Sequence, residues 1–209
     1  NLRLRGNDTL TLSGTLDADS IYLGDSEVLA AGSNNITCAG DWTIIATGAF
    51  TSSGTVDFDG GSKQTLTSGG TDASHDFQNL THSGAGELEL STNNLDVDGT
   101  LTQSGSSDFD TSGLNITAGG LTVSGGTFND DKRDTGTWDI GSSGVGVSAG
   151  ATLKTPATTV TVAGDWTIDA SGVFRNNGST IDFDGGSKQT LTSGGTGSDH
   201  NFTGLTHSG

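Results

Sequence analysis

The sequence predicts an all-β fold of the parallel β-helix, or β-solenoid, type. Three observations support this: apolar and polar residues alternate over short runs, these runs recur at an even spacing, and long passages are repeated. Leu2-Arg3-Leu4 and Leu95-Asp96-Val97 show the alternation, which is typical of strands with one buried side. Helix-forming residues are scarce among 35 Gly and many Thr, Ser and Asp residues, so we expect essentially no helix.

The apolar runs recur about every 20 residues and end in turns of Gly, Asn, Ser or Asp. A unit this short cannot bury its apolar side alone, but stacked units about 4.8 Å apart share one narrow core. We expect about ten coils of roughly 20 residues, wound right-handed with about three strands each. The runs begin near Leu2, Ile21, Ile36, Val56, Leu80, Leu95, Leu114, Trp138, Val160, Ile181 and Leu205.

Two other folds share some of these features. A leucine-rich repeat has a similar length, but its Leu/Asn consensus is absent from the sequence. A β-sandwich also places short strands between turns, yet it predicts neither such even steps nor such similar copies. The spacing therefore favours the solenoid.

Long repeats divide the chain into two copies within a single continuous solenoid, 1–209. Residues 56–84 and 181–209 are identical at 22 of 29 positions. Residues 1–84 form the first copy and 87–209 the second, with about two extra coils near 102–150. The start of the first copy matches the start of the second as follows: Leu2, Leu4, Asn7, Leu10, Leu12, Gly14, Thr15 and Leu16 correspond to Leu88, Leu90, Asn93, Leu95, Val97, Gly99, Thr100 and Leu101.

This arrangement predicts how copies join. Gly84 is followed, after Ala85 and Gly86, by the strand that matches Leu2, so by the same logic Gly209 precedes another copy. That copy either continues the polypeptide or belongs to a second chain stacked head to tail, because exposed strand edges seek partners. The partner is then the protein itself, with oppositely charged ends. The expected interface residues are Leu2, Arg3, Leu4, Arg5, Asp182, Asp184 and Leu205.

The formal charge of −17 excludes several partners. Such an anionic surface repels phosphate backbones and anionic lipids, so we expect no nucleic acid and no membrane-surface partner. No apolar run has the length of a membrane span. Basic residues are also too few and scattered to complete a carboxylate site for sugar cleavage, so we expect no enzyme activity.

Several repeated motifs resemble a known class of protein. GDWT recurs at 40–43 and 164–167, VDFDGGSKQTL at 56–66 has a near-copy at 181–191, and LTHSG ends both passages. This pattern is similar to the repeats of large secreted or cell-surface β-solenoid proteins of bacteria and archaea, of the filamentous-haemagglutinin adhesin type. The resemblance implies an extracellular, structural or adhesive protein, and it assigns no active-site residue.

We therefore expect a fibre, stalk or surface layer built by stacked repeats. The alternative is an adhesin stalk whose surface binds a receptor or a cell-surface glycan. A polysaccharide-active enzyme and an ice-binding protein are more distant alternatives, the latter because of Thr-x-Thr steps at Thr9, Thr65, Thr100 and Thr190. Thr is also a favoured strand residue, which explains these steps without ice.

Paired aspartates are the candidate metal ligands, and they predict Ca²⁺ as the one cofactor to consider. Two carboxylates on one face of a strand suit this cation, which prefers clustered oxygens. Ser68 stands where an EF-hand loop needs Glu, so the alternative is that these acids simply solvate the surface. The candidates are Asp57, Asp59, Asp96, Asp98, Asp182 and Asp184.

The remaining candidate residues have structural interpretations. Cys38 occupies a position that is Val162 in the second copy, so we expect a small core residue instead of a reactive thiol. His75 with His82, and their copies His200 with His207, lack the further ligands of a zinc site. Acceptor sequences for N-glycosylation occur at Asn7, Asn35, Asn79, Asn115, Asn177 and Asn201.

Overall fold

The computed structural model describes residues 1–45, 47–129 and 135–209. Over these residues the chain is an all-β parallel solenoid of about ten coils, with about 21 residues per turn. This confirms the predicted fold class, coil number and near absence of helix. The helical content of the described residues is one short 3₁₀ segment, Ser198–His200. Residues 130–134, which fall within the expected insertion at 102–150, lie outside the described residues.

Most strands are short because each spans one side of a coil, and the three long strands each span two sides. In chain order they are β1 (Leu2–Arg3), β2 (Thr9–Thr11), β3 (Leu16–Ala18), β4 (Ile21–Leu23), β5 (Val28–Gly32), β6 (Ile36–Cys38), β7 (Trp42–Ile44), β8 (Ala49–Ser52), β9 (Thr55–Phe58), β10 (Gln64–Thr67), β11 (Asn79–His82), β12 (Leu88–Leu90), β13 (Leu95–Gln103), β14 (Asp108–Asp110), β15 (Ile116–Val123), β16 (Thr127–Phe128), β17 (Trp138–Val147), β18 (Thr152–Lys154), β19 (Thr159–Val162), β20 (Trp166–Ile168), β21 (Val173–Arg175), β22 (Thr180–Phe183), β23 (Leu191–Thr192) and β24 (Gly204–His207).

These strands build three faces, and each strand pairs in parallel with strands one coil away. The first face is the sheet β1-β4-β7-β10-β12-β14-β16-β18-β21. The second face begins with β2-β5-β8 and continues through Phe77, the first half of β13, β15 and β17, and then β19, β22 and β24. The third face runs through β3, β6, β9 and β11, the second half of β13, β15 and β17, and then β20 and β23.

The core is a single column of inward side chains, because alternate residues of each strand point inward. Trp42, Phe50 and Phe77 form an aromatic triad in this column, and their ring centroids are 4.9 to 5.4 Å apart. The second copy repeats the triad as Trp166, Phe174 and Phe202, with separations of 4.9 to 5.7 Å. Equivalent aromatic residues therefore pack together in the core of both copies.

The two triads lie on different faces. Trp42 is on the first face, in β7, whereas its counterpart Trp166 is on the third face, in β20. The reason is the length of the insertion: β3 and β6 are one coil apart, but between Leu101 and β19 the chain makes two coils and two further strands. The matched part of the second copy is therefore turned by one third of a coil relative to the first.

The triad predicts where the fold is most sensitive to truncation. Replacing the fully buried Trp42 by Ala should lower the free energy of unfolding by about 3 to 5 kcal/mol, because a large cavity opens in a narrow core. Urea denaturation measures this loss. The neighbouring outward residue is the matched control, and Thr43→Ala should lose less than about 1 kcal/mol. Equal losses for both variants would contradict the assigned core.

Candidate functional site

The contact between the two copies is the feature of the fold that bears most directly on function. We call it the joint: β10 and β11, which end the first copy, contact β12 and the second half of β13, which begin the second. In the joint Leu66 pairs with Leu90 and Leu80 pairs with Leu101. All four leucines are fully buried. The end of one copy is therefore closed by the beginning of the next.

Gln64 explains why the passage Gly-Gly-Ser-Lys-Gln is repeated. Its side-chain Nε2 donates to the carbonyl oxygens of Cys38 and Gly40, both at 2.8 Å, and its Oε1 accepts from the Gly60 amide at 3.0 Å. Gln64 is fully buried, and its bonds satisfy two carbonyl oxygens of the preceding coil and one amide of its own coil. The repeated passage thus serves as a corner device that ties one coil to another.

His82 and Gln103 extend this network across the joint. His82 Nδ1 lies 2.7 Å from Gln103 Oε1, and Nε2 lies 2.8 Å from the carbonyl oxygen of Gly86. Both side chains are fully buried. Gly86 itself must be glycine here, because a Cβ would lie 2.0 Å from the Ser62 carbonyl oxygen. The histidine that the sequence interprets as structural therefore fastens the end of the first copy to the second.

An ion-pair cluster lies on the outside of the joint. Lys63 Nζ is 3.0 Å from Glu87 Oε1 and 2.8 Å from Glu89 Oε2. The Glu89 and Glu87 carboxylates raise the pKa of Lys63. Because these side chains are substantially exposed, each pair contributes less than about 1 kcal/mol, and its main effect is on register.

The last coil has the same bonds as the end of the first copy, but its equivalent leucines are exposed. Gln189 makes the same three bonds as Gln64, to Val162 O (2.7 Å), Gly164 O (2.8 Å) and the Gly185 amide (3.1 Å). Leu191 and Leu205, which correspond to the buried Leu66 and Leu80, are 41% and 50% exposed. Identical sequence is thus buried in one place and exposed in the other, and the presence of a following coil is what differs.

The expected interface residues lie on different coils. Leu2 and Arg3 form β1 at the edge of the first face, Leu4 and Arg5 follow directly, and Leu205 is in the last strand of the second face. Asp182 lies one coil before that strand. Its oxygens accept hydrogen bonds from Thr206 Oγ1 at 2.8 Å and Ser208 Oγ at 2.9 Å. Asp184 follows β22 directly and is exposed.

The candidate Ca²⁺ ligands are not brought together. Asp57 and Asp59 are on the third face, whereas Asp96 with Asp98 and Asp182 with Asp184 are on the second face, four coils apart. In the described residues, no group of three or more His, Cys, Asp or Glu side chains is placed to hold a metal ion. Burial raises the pKa of Asp57 and of Asp96.

Asp76 is a carboxyl group that the sequence does not single out. It lies in the loop before Phe77, and burial, followed by the charges of Asp96, Asp98 and Asp72, raises its pKa to about 6. Its Oδ1 atom is buried and has no hydrogen-bond partner among the described residues. Only the three-dimensional course of the loop places it beside the second-face carboxylates, so no local sequence pattern could have identified it.

The other candidate residues have structural surroundings. Cys38 is fully buried, as predicted, and burial raises the pKa of its thiol to about 11. His75 is buried with its Nδ1 2.9 Å from Asp72 Oδ1, apart from the His82 network. Thr-x-Thr steps occur on all three faces: Thr65 is on the first, Thr9 on the second and Thr100 on the third.

The glycosylation acceptors fall into two groups. Asn35, Asn79 and Asn115 use their side-chain oxygens to accept amide hydrogen bonds from the next coil, at 2.8 to 3.0 Å. Asn7, Asn177 and Asn201 are exposed. The first group therefore has a role in coil stacking that the acceptor motif does not reveal.

Comparisons with protein-family models, curated proteins and solved structures found no match. The fold alone thus defines the class, which is the parallel β-solenoids. Within that class, the chain contains two copies of one repeat. Equivalent strands in the later part of each copy lie on neighbouring faces of the solenoid instead of on the same face. Among the described residues, no helix has the length and apolar content to span a bilayer.

Gln64 offers a direct test of the corner device. We expect Gln64→Ala to lower the free energy of unfolding by about 2 to 4 kcal/mol, because three backbone groups each lose a hydrogen bond to this buried side chain. Lys63→Ala, at the exposed neighbouring position, should lose less than about 1 kcal/mol. Chemical denaturation compares the two variants, and a loss that is no larger for Gln64→Ala would refute the assignment.

Asp76 predicts a pH dependence of stability. Because its folded pKa of about 6 is above the usual 3.8, the folded state holds the proton more tightly. Its contribution to stability should therefore rise as the pH falls from 7 to about 4. Asp76→Asn should be more stable than the wild type at pH 7, by less than about 1 kcal/mol after solvent screening, and the difference should vanish near pH 4.

Melting temperatures of the wild type and Asp76→Asn across this pH range give the measurement. The control is Asp72→Asn, because hydrogen bonds from the Ser74 amide and His75 lower the pKa of Asp72. That variant should not gain stability at pH 7. A pH profile of Asp76→Asn parallel to that of the wild type would show that Asp76 titrates normally.

Proposed function

We propose that this protein is a non-enzymatic structural protein outside the cell, which builds a fibre, stalk or surface layer by end-to-end stacking of solenoid copies. The observation that carries the proposal is the joint. Leu66 and Leu80 are fully buried where a second copy follows, whereas Leu191 and Leu205 are 41% and 50% exposed. A further copy would bury them in the same way.

The use of the buried polar side chains supports a structural role. Gln64, His82 and Gln103 are all engaged in tying coils together. Ser68 Oγ donates to the Asn94 carbonyl oxygen at 2.8 Å, and Thr155 and Ser179 share a bond of 2.8 Å between coils. These side chains use their hydrogen bonds to join coils, which favours a rigid rod over a catalytic cleft.

The surface charge suits a soluble rod that does not associate side by side. A net charge of −17 over 209 residues keeps a Gly- and Ser-rich rod soluble and discourages lateral association. The motif resemblance to secreted and cell-surface solenoid repeats supports a location outside the cell.

Association of the purified 209-residue chain tests the proposal. We expect sedimentation velocity to show species that grow with protein concentration, and negative-stain electron microscopy to show unbranched rods one solenoid wide. Added salt should promote growth, because it screens the repulsion between acidic copies. A monomer at every concentration and salt level would contradict stacking, and isolated stalks with a distinct tip would favour the adhesin alternative.

A further inference from the structure

We infer that the partner at the last coil is a second copy of this chain, docked in a defined register and turned by one third of a coil about the solenoid axis. This inference rests on the proposed function and specifies the contact that the proposed function requires. It is derived from the joint, because the joint shows the same two sequences already stacked on each other.

The register follows from equivalent positions. Leu66 and Leu80 correspond to Leu191 and Leu205, while their partners Leu90 and Leu101 correspond to Leu4 and Leu16. Transferring the pairs places Leu4 of the second copy on Leu191 and Leu16 on Leu205. The bridge between Phe77 and Val97 likewise places Leu12 on Phe202.

All three transferred pairs require the same rotation. Leu191 is on the third face and Leu4 follows β1 of the first face; Leu205 is on the second face and Leu16 is on the third. Phe202 packs against Phe174 of the first face, and Leu12 follows β2 of the second. The first, second and third faces of the incoming copy therefore stack on the third, first and second faces of the last coil, respectively. The three pairs agree because the whole end of the second copy is turned by one face relative to the end of the first.

The surfaces at the two ends suit this contact. Leu191 and Leu205 line an open groove of about 310 Å³ together with Phe183, Gln189, Thr206 and His207. The incoming coil offers five leucines that are only partly buried against their own core: Leu2, Leu4, Leu10, Leu12 and Leu16. Closing the groove removes this apolar surface from water on both sides, which is favourable.

The charges at this contact differ from those at the joint. Lys188 corresponds to Lys63, and Arg3 occupies the position of Glu89, so a Lys–Glu pair at the joint becomes a Lys–Arg pair between copies. Asp182, expected to attract the arginines, lies on the second face, whereas Arg3 would lie over Thr190 at the edge of the third. Like charges thus weaken the contact, and reversing one of them should strengthen it.

Disulfide trapping tests the rotation. In the turned register Thr206 faces Asp17, whereas stacking without a turn would place it opposite Thr11. Neighbouring parallel strands lie about 4.8 Å apart, which is within disulfide range. We therefore expect Thr206→Cys with Asp17→Cys to form covalent oligomers on mild oxidation. This pair and the control pair described below both carry Cys38→Val, which removes the native thiol. Val is the residue at the equivalent position 162.

Thr206→Cys with Thr11→Cys is the matched control and should give at least tenfold less cross-linked product. Within one chain these positions are separated by most of the rod, so any disulfide must join two chains. Preferential cross-linking of the control pair would overturn the rotation but leave end-to-end growth intact. Rods without cross-links in either pair would overturn the inferred contact, and absence of any association would refute the proposed function itself.

A charge reversal provides a second test, in variants that keep Cys38. Arg3→Glu recreates the pairing of Lys63 with Glu89 opposite Lys188, so its dissociation constant should be about two- to fivefold lower than that of Arg5→Glu. Arg5→Glu changes the net charge equally but would face Thr192 instead of Lys188. Equal association of the two variants, measured by sedimentation equilibrium, would contradict the register.

Discussion

The rest of this structure depends on the parallel pairing of each strand with its equivalent one coil away. This pairing stacks every outward side chain about 4.8 Å from a neighbour above and below, so a column of like charges would be strongly repulsive. The second face shows how an acidic chain avoids this. Its outward column alternates Asp and Thr, and Thr161 and Thr206 donate to Asp139 and Asp182 at 2.9 and 2.8 Å. The column reads Asp96, Thr117, Asp139, Thr161, Asp182 and Thr206.

The same constraint explains the corners. A corner residue cannot pair within its own coil, so its amide must find an acceptor one coil away. Asn35, Asn79 and Asn115 supply that acceptor through their side chains. Gln64 and Gln189 instead each donate to two carbonyl oxygens of the preceding coil. These amide side chains therefore do at the corners what backbone pairing does on the faces. Their recurrence therefore reflects the stacking of coils.

Much of the fold could be predicted from the sequence because alternation and even spacing are local properties. The core position of Cys38 followed from its Val162 counterpart, and the fold class followed from the spacing of apolar runs. The turn of one face between copies could not be predicted. It depends on counting strands within 102–150, where β15 and β17 each pass through a corner as one continuous strand and so present two faces within one segment. The position of Asp76 depends likewise on a loop path that no periodicity describes.

The interchange of faces shows what the repeated passage requires of its surroundings. Trp42 with Gln64 and Trp166 with Gln189 make the same contacts on different sides of the rod. A strand position is therefore defined by its neighbours above and below and by the turn beside it, and the three faces are equivalent for packing. It follows that an insertion need not contain a whole number of coils, because any face can accept the next strand. In an array of such copies the matched passages would wind around the rod by one third of a turn at each step, so a surface feature carried by the repeat would form a helical stripe instead of one continuous flat face.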